Sequence, residues 1–191
     1  MKPTPVDRKP LLLASASPRR SDLLREAGVA FAVEPARVEE QEDPTGDPVE
    51  LARFNAELKA AEVAGRFPDR TVLAADTVVA LENKVLGKPA DREEAFRMLR
   101  ELAGRAHTVV TGVSVIRFGG EPETFSVSSR VRFRELSDTR IRAYLADVNV
   151  LDKAGAYALQ EEGARIVEGV EGSRANVIGL PVEELRRRGV L

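Results

Sequence analysis

The sequence contains no cysteine and no tryptophan, and it has a single histidine, His107. The absence of cysteine excludes disulfide bonds, thiolate catalysis and zinc sites built on sulfur. One histidine cannot supply a histidine-cluster metal site or a mechanism that needs two imidazoles. Catalytic chemistry must therefore rely on carboxylates, lysines, arginines and hydroxyls, and a bound metal would be a hard cation on oxygen ligands.

Long apolar runs and an excess of positive charge are also lacking. No segment approaches the length needed to cross a membrane, and the stretch MKPTPVDRKP has no apolar region typical of a secretory signal. The formal net charge is -2, so there is no basic field of the kind that binds nucleic acid without specificity. These features indicate a cytoplasmic protein with no membrane partner and no nucleic-acid partner.

Apolar segments typical of strands alternate with segments typical of helices along the 191 residues. Strands are expected at 9–14, 29–36, 70–81, 107–118 and 123–136, and helices at 18–28, from 48, at 91–104, from 137 and at 180–190. The letters GGEP between the last two strands predict a hairpin. The pattern predicts one α/β domain over residues 1–191, with a long twisted mixed sheet and flanking helices.

Some features have ordinary structural interpretations. Lys59, in the second helix, is a surface lysine by default, because lysines are rarely buried. His107 opens a strand and is expected to be a structural histidine. The turn-rich segment 172–181 is either a binding loop or a connection before the last helix. The apolar face of the second helix is predicted from four residues: Leu51, Phe54, Leu58 and Ala61.

Asp76 lies inside the apolar run TVLAADTVVAL. A carboxylate on a buried strand is unfavourable unless it is paired, hydrogen-bonded or bound to metal, which favours a functional site. The alternative is a strand end, where Asp76 and Thr77 would satisfy backbone groups in a turn. Lys88, in the letters GKP, follows the next turn, and a hairpin would bring it back beside Asp76. Its alternative is an ordinary exposed lysine.

Two arginines, Arg19 and Arg20, stand in the first turn of the first helix, where a cation is unfavourable by about 0.3–1 kcal/mol. Either water screens them or an anion binds there, and Ser15 and Ser17 would add hydroxyls to such a site; Ser17 is also placed to cap the helix. The acidic loop 37–48 offers a second carboxylate that would help Asp76 hold Mg²⁺ against phosphates. The alternative for that loop is a solvated acidic run.

Five motifs resemble those of one known family and occur in its order: LASASPRRSDLLREAG, AADTVVALENKVLGKPAD, MLRELAGRAHTVVTGVSV, LDKAGAYALQ and VEGSRANVIGLP. From Leu11 to Pro181 the chain resembles the Maf family, once called septum formation inhibitor. The resemblance implies a fold similar to inosine triphosphatase, with two lobes around a central cleft. It also implies a nucleoside triphosphate pyrophosphatase that uses Mg²⁺ or Mn²⁺, and a homodimer.

The resemblance assigns roles to individual residues. Asp76 corresponds to the family's proton acceptor, and Glu40, with Glu39 as the alternative, corresponds to an acid that acts with Asp76 on the metal. Substrate binding is implied for Ser15, Arg19, Arg20, Lys59 and Lys88, to which the residues themselves add Ser17.

The resemblance also bears on the nucleobase. Arg19, Thr77 and Gln160 match the branch of the family that acts on dTTP and UTP. Two departures are the letters QEEG at 160–163, where many members run Gln directly into Gly, and Arg174, where an aromatic residue is common. The rival functions are a non-catalytic regulator of cell division that binds a nucleotide or a protein, and a phosphatase that releases orthophosphate.

Overall fold

The computed structural model describes residues 10–43, 46–82 and 84–191. The described strands are β1 (Leu11–Leu13), β2 (Phe31–Val33), β3 (Thr71–Leu81), β4 (Lys84–Leu86), β5 (Ala106–Arg117), β6 (Glu123–Phe133) and β7 (Val167–Glu171). The described α-helices are α1 (Pro18–Glu26), α2 (Pro48–Arg66), α3 (Arg92–Leu102), α4 (Asp138–Asp147), α5 (Arg174–Ile178) and α6 (Val182–Arg187). Two short 3₁₀ turns lie at Ala154–Ala156 and Gly163–Arg165.

The strands form one mixed sheet in the order β2-β1-β3-β5-β6-β7, and β4 pairs with β3 beside this path. Strands β1, β2 and β3 are parallel, whereas β4, β5, β6 and β7 join through antiparallel pairs. The long β5–β6 pair is the predicted hairpin. The predicted fold class, an α/β fold on a long mixed sheet with flanking helices, is confirmed; the division into two lobes stays a prediction.

A gap along one edge of β3 positions the functional site. β1 pairs with β3 at Val72 and Leu73, and β4 pairs with β3 from Val79 onward. Between these two partners, residues 74–78 have no strand beside them on that edge among the described part of the chain. Successive side chains of a strand point to opposite faces of the sheet. Residues on both faces of β3 therefore border the region beside its unpaired edge.

Helices cover both faces of the sheet. Alanines and Val63 of α2 pack on one face, against β3 and β5. On the other face, leucines of α1 and α6 form one apolar cluster, and side chains of α3 and α4 form a second. Asp76 therefore points toward α2, and Thr77, its neighbour on β3, points toward the α1 side.

Gly112 lets α2 approach the sheet closely. It lies on β5 directly opposite Asp76. A Cβ atom at Gly112 would stand 2.2 Å from the carbonyl oxygen of Ala52 in α2, so no larger residue fits unless the helix moves. The close approach brings the polar side chains of α2 within hydrogen-bonding distance of Asp76.

The structure corrects three local predictions. Of the predicted apolar face of α2, Leu51 is buried and Leu58 is half-buried, but Phe54 and Ala61 are exposed. The buried face contains Leu51, Asn55 and Lys59 together with alanines. The segment 172–181 contains a short helix, α5, capped by Ser173, rather than being a loop throughout. Ser17 occupies the cap position of α1, but its side chain makes no capping hydrogen bond.

Candidate functional site

A cavity of about 810 Å³ opens at the gap along β3, a volume suited to a small-molecule ligand. It is lined from both faces of β3, from the loop after β1, from α2, from the loop after β4 and from the segment after α4. All ten predicted site residues border it: Ser15, Ser17, Arg19, Arg20, Glu40, Lys59, Asp76, Thr77, Lys88 and Gln160. Glu39, the alternative to Glu40, is not among the lining residues.

A chain of alternating charges runs through the centre of the cavity wall. The ammonium of Lys59 lies 2.7 Å from Asp76 Oδ1 and 2.6 Å from Glu40 Oε1. Glu40 Oε2 in turn accepts from Lys88 Nζ at 2.9 Å. Lys88 therefore reaches Asp76 through Glu40 and Lys59 rather than directly. Asp76 is 6% exposed on a continuous strand, which excludes the alternative that it ends a strand.

Lys59 is buried, contrary to its default interpretation as a surface lysine, with 7% of its surface exposed. It lies two helical turns beyond Leu51 on the face of α2 that meets the sheet. A buried ammonium requires partners of opposite charge, and the two carboxylates supply them. Burial therefore fixes the position of a positive charge beside Asp76.

Asn55 is a site residue that the sequence analysis missed. Its Nδ2 lies 3.3 Å from Asp76 Oδ2 and 3.0 Å from the carbonyl oxygen of Gln41, and its Oδ1 accepts from Gln41 N at 2.8 Å. One buried amide thus anchors the acidic loop that carries Glu40 to the strand that carries Asp76. The available signal was its position four residues before Lys59 on the same helix face.

Arg20 is buried and connects three segments of the cavity wall. Its Nε donates to the carbonyl oxygen of Gly179 at 2.8 Å, and its terminal nitrogens donate to Ser15 Oγ at 3.0 Å and to Thr77 Oγ1 at 3.1 Å. Burial lowers the pKa of Arg20, although Asp76 opposes this shift, and an arginine remains charged at neutral pH. Three of its five N–H groups are therefore committed to the protein.

The hydroxyl of Ser15 is arranged as a donor. Its oxygen accepts from Arg20 and from the backbone N–H of Ser17 at 3.2 Å, which occupies both lone pairs. The remaining O–H proton is available to an acceptor such as a phosphate oxygen. Ser17 contributes through its backbone, consistent with the absence of a side-chain cap.

Arg19 lines the cavity and pairs with the segment that follows α4. Its guanidinium contacts Asp152 at 3.1 Å, and Asp152 also accepts from Lys153 at 2.9 Å. Burial acts to raise the pKa of Asp152, but the charges of Lys153 and Arg19 outweigh it and hold the pKa below its usual value. Asp152 and Lys153 line the cavity and were not predicted, because they are separated from Arg19 by most of the chain.

Hydrogen bonds to neighbouring segments hold the backbone from Lys153 to Gln160 in place. Gly155 has φ of +69°, and its N–H donates to the carbonyl oxygen of Gly87 at 3.0 Å, next to Lys88. The hydroxyl of Tyr144 accepts from Ala158 N at 3.0 Å. These bonds hold the backbone that carries Gln160, whose exposed side chain stands at the rim.

The charges that surround Glu40 keep its carboxylate ionised. Burial acts to raise the pKa of Glu40, but hydrogen bonds and charges from Lys59 and Lys88 outweigh it and lower the pKa to about 2. Glu40 is therefore fully ionised at neutral pH. The ammonium and guanidinium groups of the wall can bind phosphate oxygens, and Glu40 and Asp76 can bind a cation that accompanies the phosphates.

The carboxylates of Glu40 and Asp76, which form the acidic wall of the cavity, are ligands suited to the divalent cation implied by the family resemblance. Among the residues in the described ranges, no group of three or more carboxylates or imidazoles converges, so the protein alone offers a pair, Glu40 and Asp76. Mg²⁺ is commonly held by one or two carboxylates together with substrate phosphates. Both carboxylates reach the single ammonium of Lys59, so they face one common position.

The family model described as Maf-like protein matches residues 10–188. The chain belongs to the Maf-like family. Curated relatives include the dTTP/UTP pyrophosphatase of Akkermansia muciniphila, 46% identical over 178 residues, which cover 93% of this chain and 94% of that protein. The dTTP/UTP pyrophosphatase of Pyrococcus furiosus is 44% identical over 174 residues, covering 91% and 90%.

A solved structure shows the same fold as this Maf-like chain at low sequence identity. The Staphylococcus aureus Ham1 protein superimposes with a TM-score of 0.51 at 17% identity, covering 95% of this chain and 98% of that one. The likeness concerns the fold, which is the mixed sheet with flanking helices described above. Among the described residues of this Maf-like chain, no helix combines the length and apolar composition that a membrane crossing requires.

Proposed function

We propose that this Maf-like protein is a nucleoside triphosphate pyrophosphatase that hydrolyses dTTP and UTP to the monophosphate and pyrophosphate. Relatives that bear this activity in their names match nine-tenths of the chain at about 45% identity. The observation that carries the proposal is the buried carboxylate of Asp76, which faces a nucleotide-sized cavity beside fixed cations. Acid anhydride hydrolysis needs a positioned base and charge neutralisation on the phosphates.

The residues divide the work by position. Asp76 orients a water molecule and accepts its proton for in-line attack on the α-phosphorus. Lys59 and Lys88 neutralise charge that develops on the phosphate oxygens, and Arg19 exchanges its contact with Asp152 for a phosphate oxygen. Ser15 donates its free proton to a phosphate oxygen.

Arg20 acts chiefly by holding the cavity walls, because three of its donors are already engaged. Its charge adds to the positive potential at the start of α1. The free N–H groups of that helix terminus, which Ser17 does not cap through its side chain, suit an anion in the same place.

Glu40 and Asp76 would hold Mg²⁺ or Mn²⁺ together with the substrate. A divalent cation there supplies charge neutralisation on the phosphate oxygens and on the departing pyrophosphate. Lys59 occupies the position between the two carboxylates in the structure, so its ammonium and a divalent cation would compete for the same oxygens.

Base selection is assigned to Thr77 and Gln160, which border the cavity away from the acidic wall. Changing either residue should alter the ranking of dTTP and UTP against other nucleotides. Arg174 is exposed at the start of α5 and is not among the residues that line the cavity, so we expect no contact between it and the base. The lengthened QEEG segment bears directly on Gln160.

The test is a nucleotide panel with identification of the products. Pyrophosphate and monophosphate from dTTP and UTP, ahead of the purine triphosphates, are the expected result. Orthophosphate as the first product would identify a phosphatase instead. Binding of nucleotides without turnover in the presence of Mg²⁺ or Mn²⁺ would favour the non-catalytic regulator of cell division.

Three further inferences concern the setting of the enzyme. We expect a cytoplasmic protein without nucleic-acid partners, in keeping with the net charge of -2. A homodimer is expected from the family resemblance. Light scattering of the purified protein tests the dimer.

A further inference from the structure

The hydroxyl of Thr77 belongs to a hydrogen-bond relay beneath the cavity floor. Its oxygen receives a hydrogen bond from Arg20 at 3.1 Å and lies 2.9 Å from Thr111 Oγ1, the residue opposite it on β5. Thr111 Oγ1 lies 2.9 Å from the carbonyl oxygen of Asn176 in α5. Thr111 and Asn176 have no exposed surface, so water does not exchange into this part of the relay.

The direction of every bond in the relay follows from the chemistry of the groups. A carbonyl oxygen only accepts, so the single proton of Thr111 goes to Asn176. Thr111 then has no proton left for Thr77, and Thr77 must donate its own proton to Thr111. A guanidinium only donates, so Arg20 occupies one lone pair of the Thr77 oxygen. The Thr77 hydroxyl keeps one unused lone pair and no free proton.

We propose that Thr77 faces the cavity as an obligate hydrogen-bond acceptor, and that Thr111 is the positioning residue that makes it one. A ligand atom that contacts Thr77 Oγ1 must therefore be a donor, which excludes phosphate oxygens there. Ser15, the other hydroxyl bonded to Arg20, has the opposite polarity and can only donate. Arg20 thus lies between two hydroxyls of opposite polarity: Ser15 can donate to an anion, whereas Thr77 can only accept from a donor.

The donor that fits is the N3–H of the uracil and thymine ring, and this step rests on the proposed function. Uracil and thymine carry a proton at N3, whereas cytosine carries a lone pair there. In a complex with CTP, the lone pair of cytosine N3 would face the lone pair of Thr77 Oγ1. Two acceptors with no hydrogen between them repel each other, which disfavours CTP. The relay therefore selects the protonated ring position of dTTP and UTP against CTP.

The first test changes Thr111, which does not line the cavity. Thr111→Val keeps the shape but removes the acceptor for the Thr77 proton, which frees that hydroxyl to donate. We expect the ratio of kcat/KM for UTP to that for CTP to fall about tenfold or more. Thr111→Ser keeps a hydroxyl and should retain the wild-type ratio, with the melting temperature of each variant confirming that it is folded.

The second test uses the wild-type protein, so that it does not depend on a variant folding. N3-methyl-UTP lacks the donor, whereas 5-methyl-UTP carries a methyl group of the same size elsewhere on the ring. The expected kcat/KM is at least about tenfold lower for the N3-methyl compound and within a few-fold of UTP for the 5-methyl compound. Equal kcat/KM values for the two methylated compounds, or an unchanged UTP-to-CTP ratio in Thr111→Val, would overturn the inference about Thr77. If UTP still released pyrophosphate in that case, the proposed function would stand. Absence of pyrophosphate from every nucleotide would instead reject the function itself.

Discussion

Removal of the ammonium of Lys59 should destabilise the protein far more than removal of a surface lysine at the same distance from its partner. Lys59 lies 2.7 Å from Asp76, and both side chains are 9% exposed. Lys59→Met preserves the length of the side chain but leaves the buried carboxylate with Asn55 as its remaining donor. Breaking a buried pair in this way costs about 3–5 kcal/mol of the free energy of unfolding.

The chain supplies a matched control at Lys84. Its ammonium also lies 2.7 Å from a carboxylate, that of Glu101, but the side chains are 55% and 35% exposed. Water screens such a pair, so Lys84→Met should cost less than about 1 kcal/mol. Urea unfolding of both variants, followed by circular dichroism at pH 7.5, compares a lysine buried between Asp76 and Glu40 with an exposed lysine at a similar distance from one carboxylate.

A double variant tests whether the unpaired carboxylate of Asp76 causes the loss of stability. Lys59→Met combined with Asp76→Asn removes both charges, so less of the penalty for an unpaired carboxylate remains, and the double variant should be more stable than Lys59→Met alone. If the free energy of unfolding of Lys59→Met lay within about 1 kcal/mol of the wild-type value, as is expected for Lys84→Met, the ammonium of Lys59 would not be paired with Asp76 in solution. The electrostatic account of the cavity would then be wrong.

Three shorter predictions follow from other contacts. Burial lowers the pKa of His107 to about 4 from 6.5, so the unfolded chain binds a proton first as the pH falls. The contribution of His107 to the free energy of unfolding should fall by about 3 kcal/mol between pH 7 and 4, and His107→Gln should reduce the pH dependence in urea titrations by that amount. Gly112→Ala should lower the melting temperature and kcat together, because its Cβ displaces the backbone at Ala52; retained activity would refute the close packing of α2. Tyr144→Phe leaves the N–H of Ala158 unpaired and should raise KM for UTP with little change in kcat; an unchanged KM would show that this bond does not order the rim.

Local patterns predicted much of the scaffold because its determinants are local. Asp47 and Asp91 cap their helices through side-chain oxygens, as residues of this type do before a helical pattern. The burial of Asp76 could be predicted because the apolar residues on both sides of it leave no solvent-facing alternative. The hairpin of β5 and β6 followed from its turn residues.

The orientation of α2 could not be predicted from large apolar residues. Phe54 is 47% exposed, whereas the buried face carries alanines at every fourth position, including Ala52, Ala56 and Ala60. Alanine contributes little to an apolar pattern, yet its small side chain is what permits a helix to approach a sheet as closely as this one does. Lys59 is buried because α2 approaches the sheet so closely, and its burial could therefore not be predicted from the apolar pattern of the helix.

Contacts between distant parts of the chain account for the remaining differences. Asp152 meets Arg19 across 133 residues of sequence, and Arg20 meets Gly179 across 159. The family resemblance placed both arginines at the substrate, but it could not distinguish one at the cavity mouth from one whose donors are engaged within the wall. The polarity of Thr77 likewise depends on Thr111, which the folded sheet places opposite it.

The central claim is that Asp76 in this cavity performs the hydrolysis, and the most direct measurement is pyrophosphate release from UTP by Asp76→Asn. The substitution keeps the shape of the side chain and removes its ability to accept a proton, while Glu40 still pairs with Lys59 to hold the site. We expect turnover to fall by at least about 100-fold, in a protein whose circular dichroism spectrum matches the wild type. Turnover within a few-fold of the wild type would contradict the account.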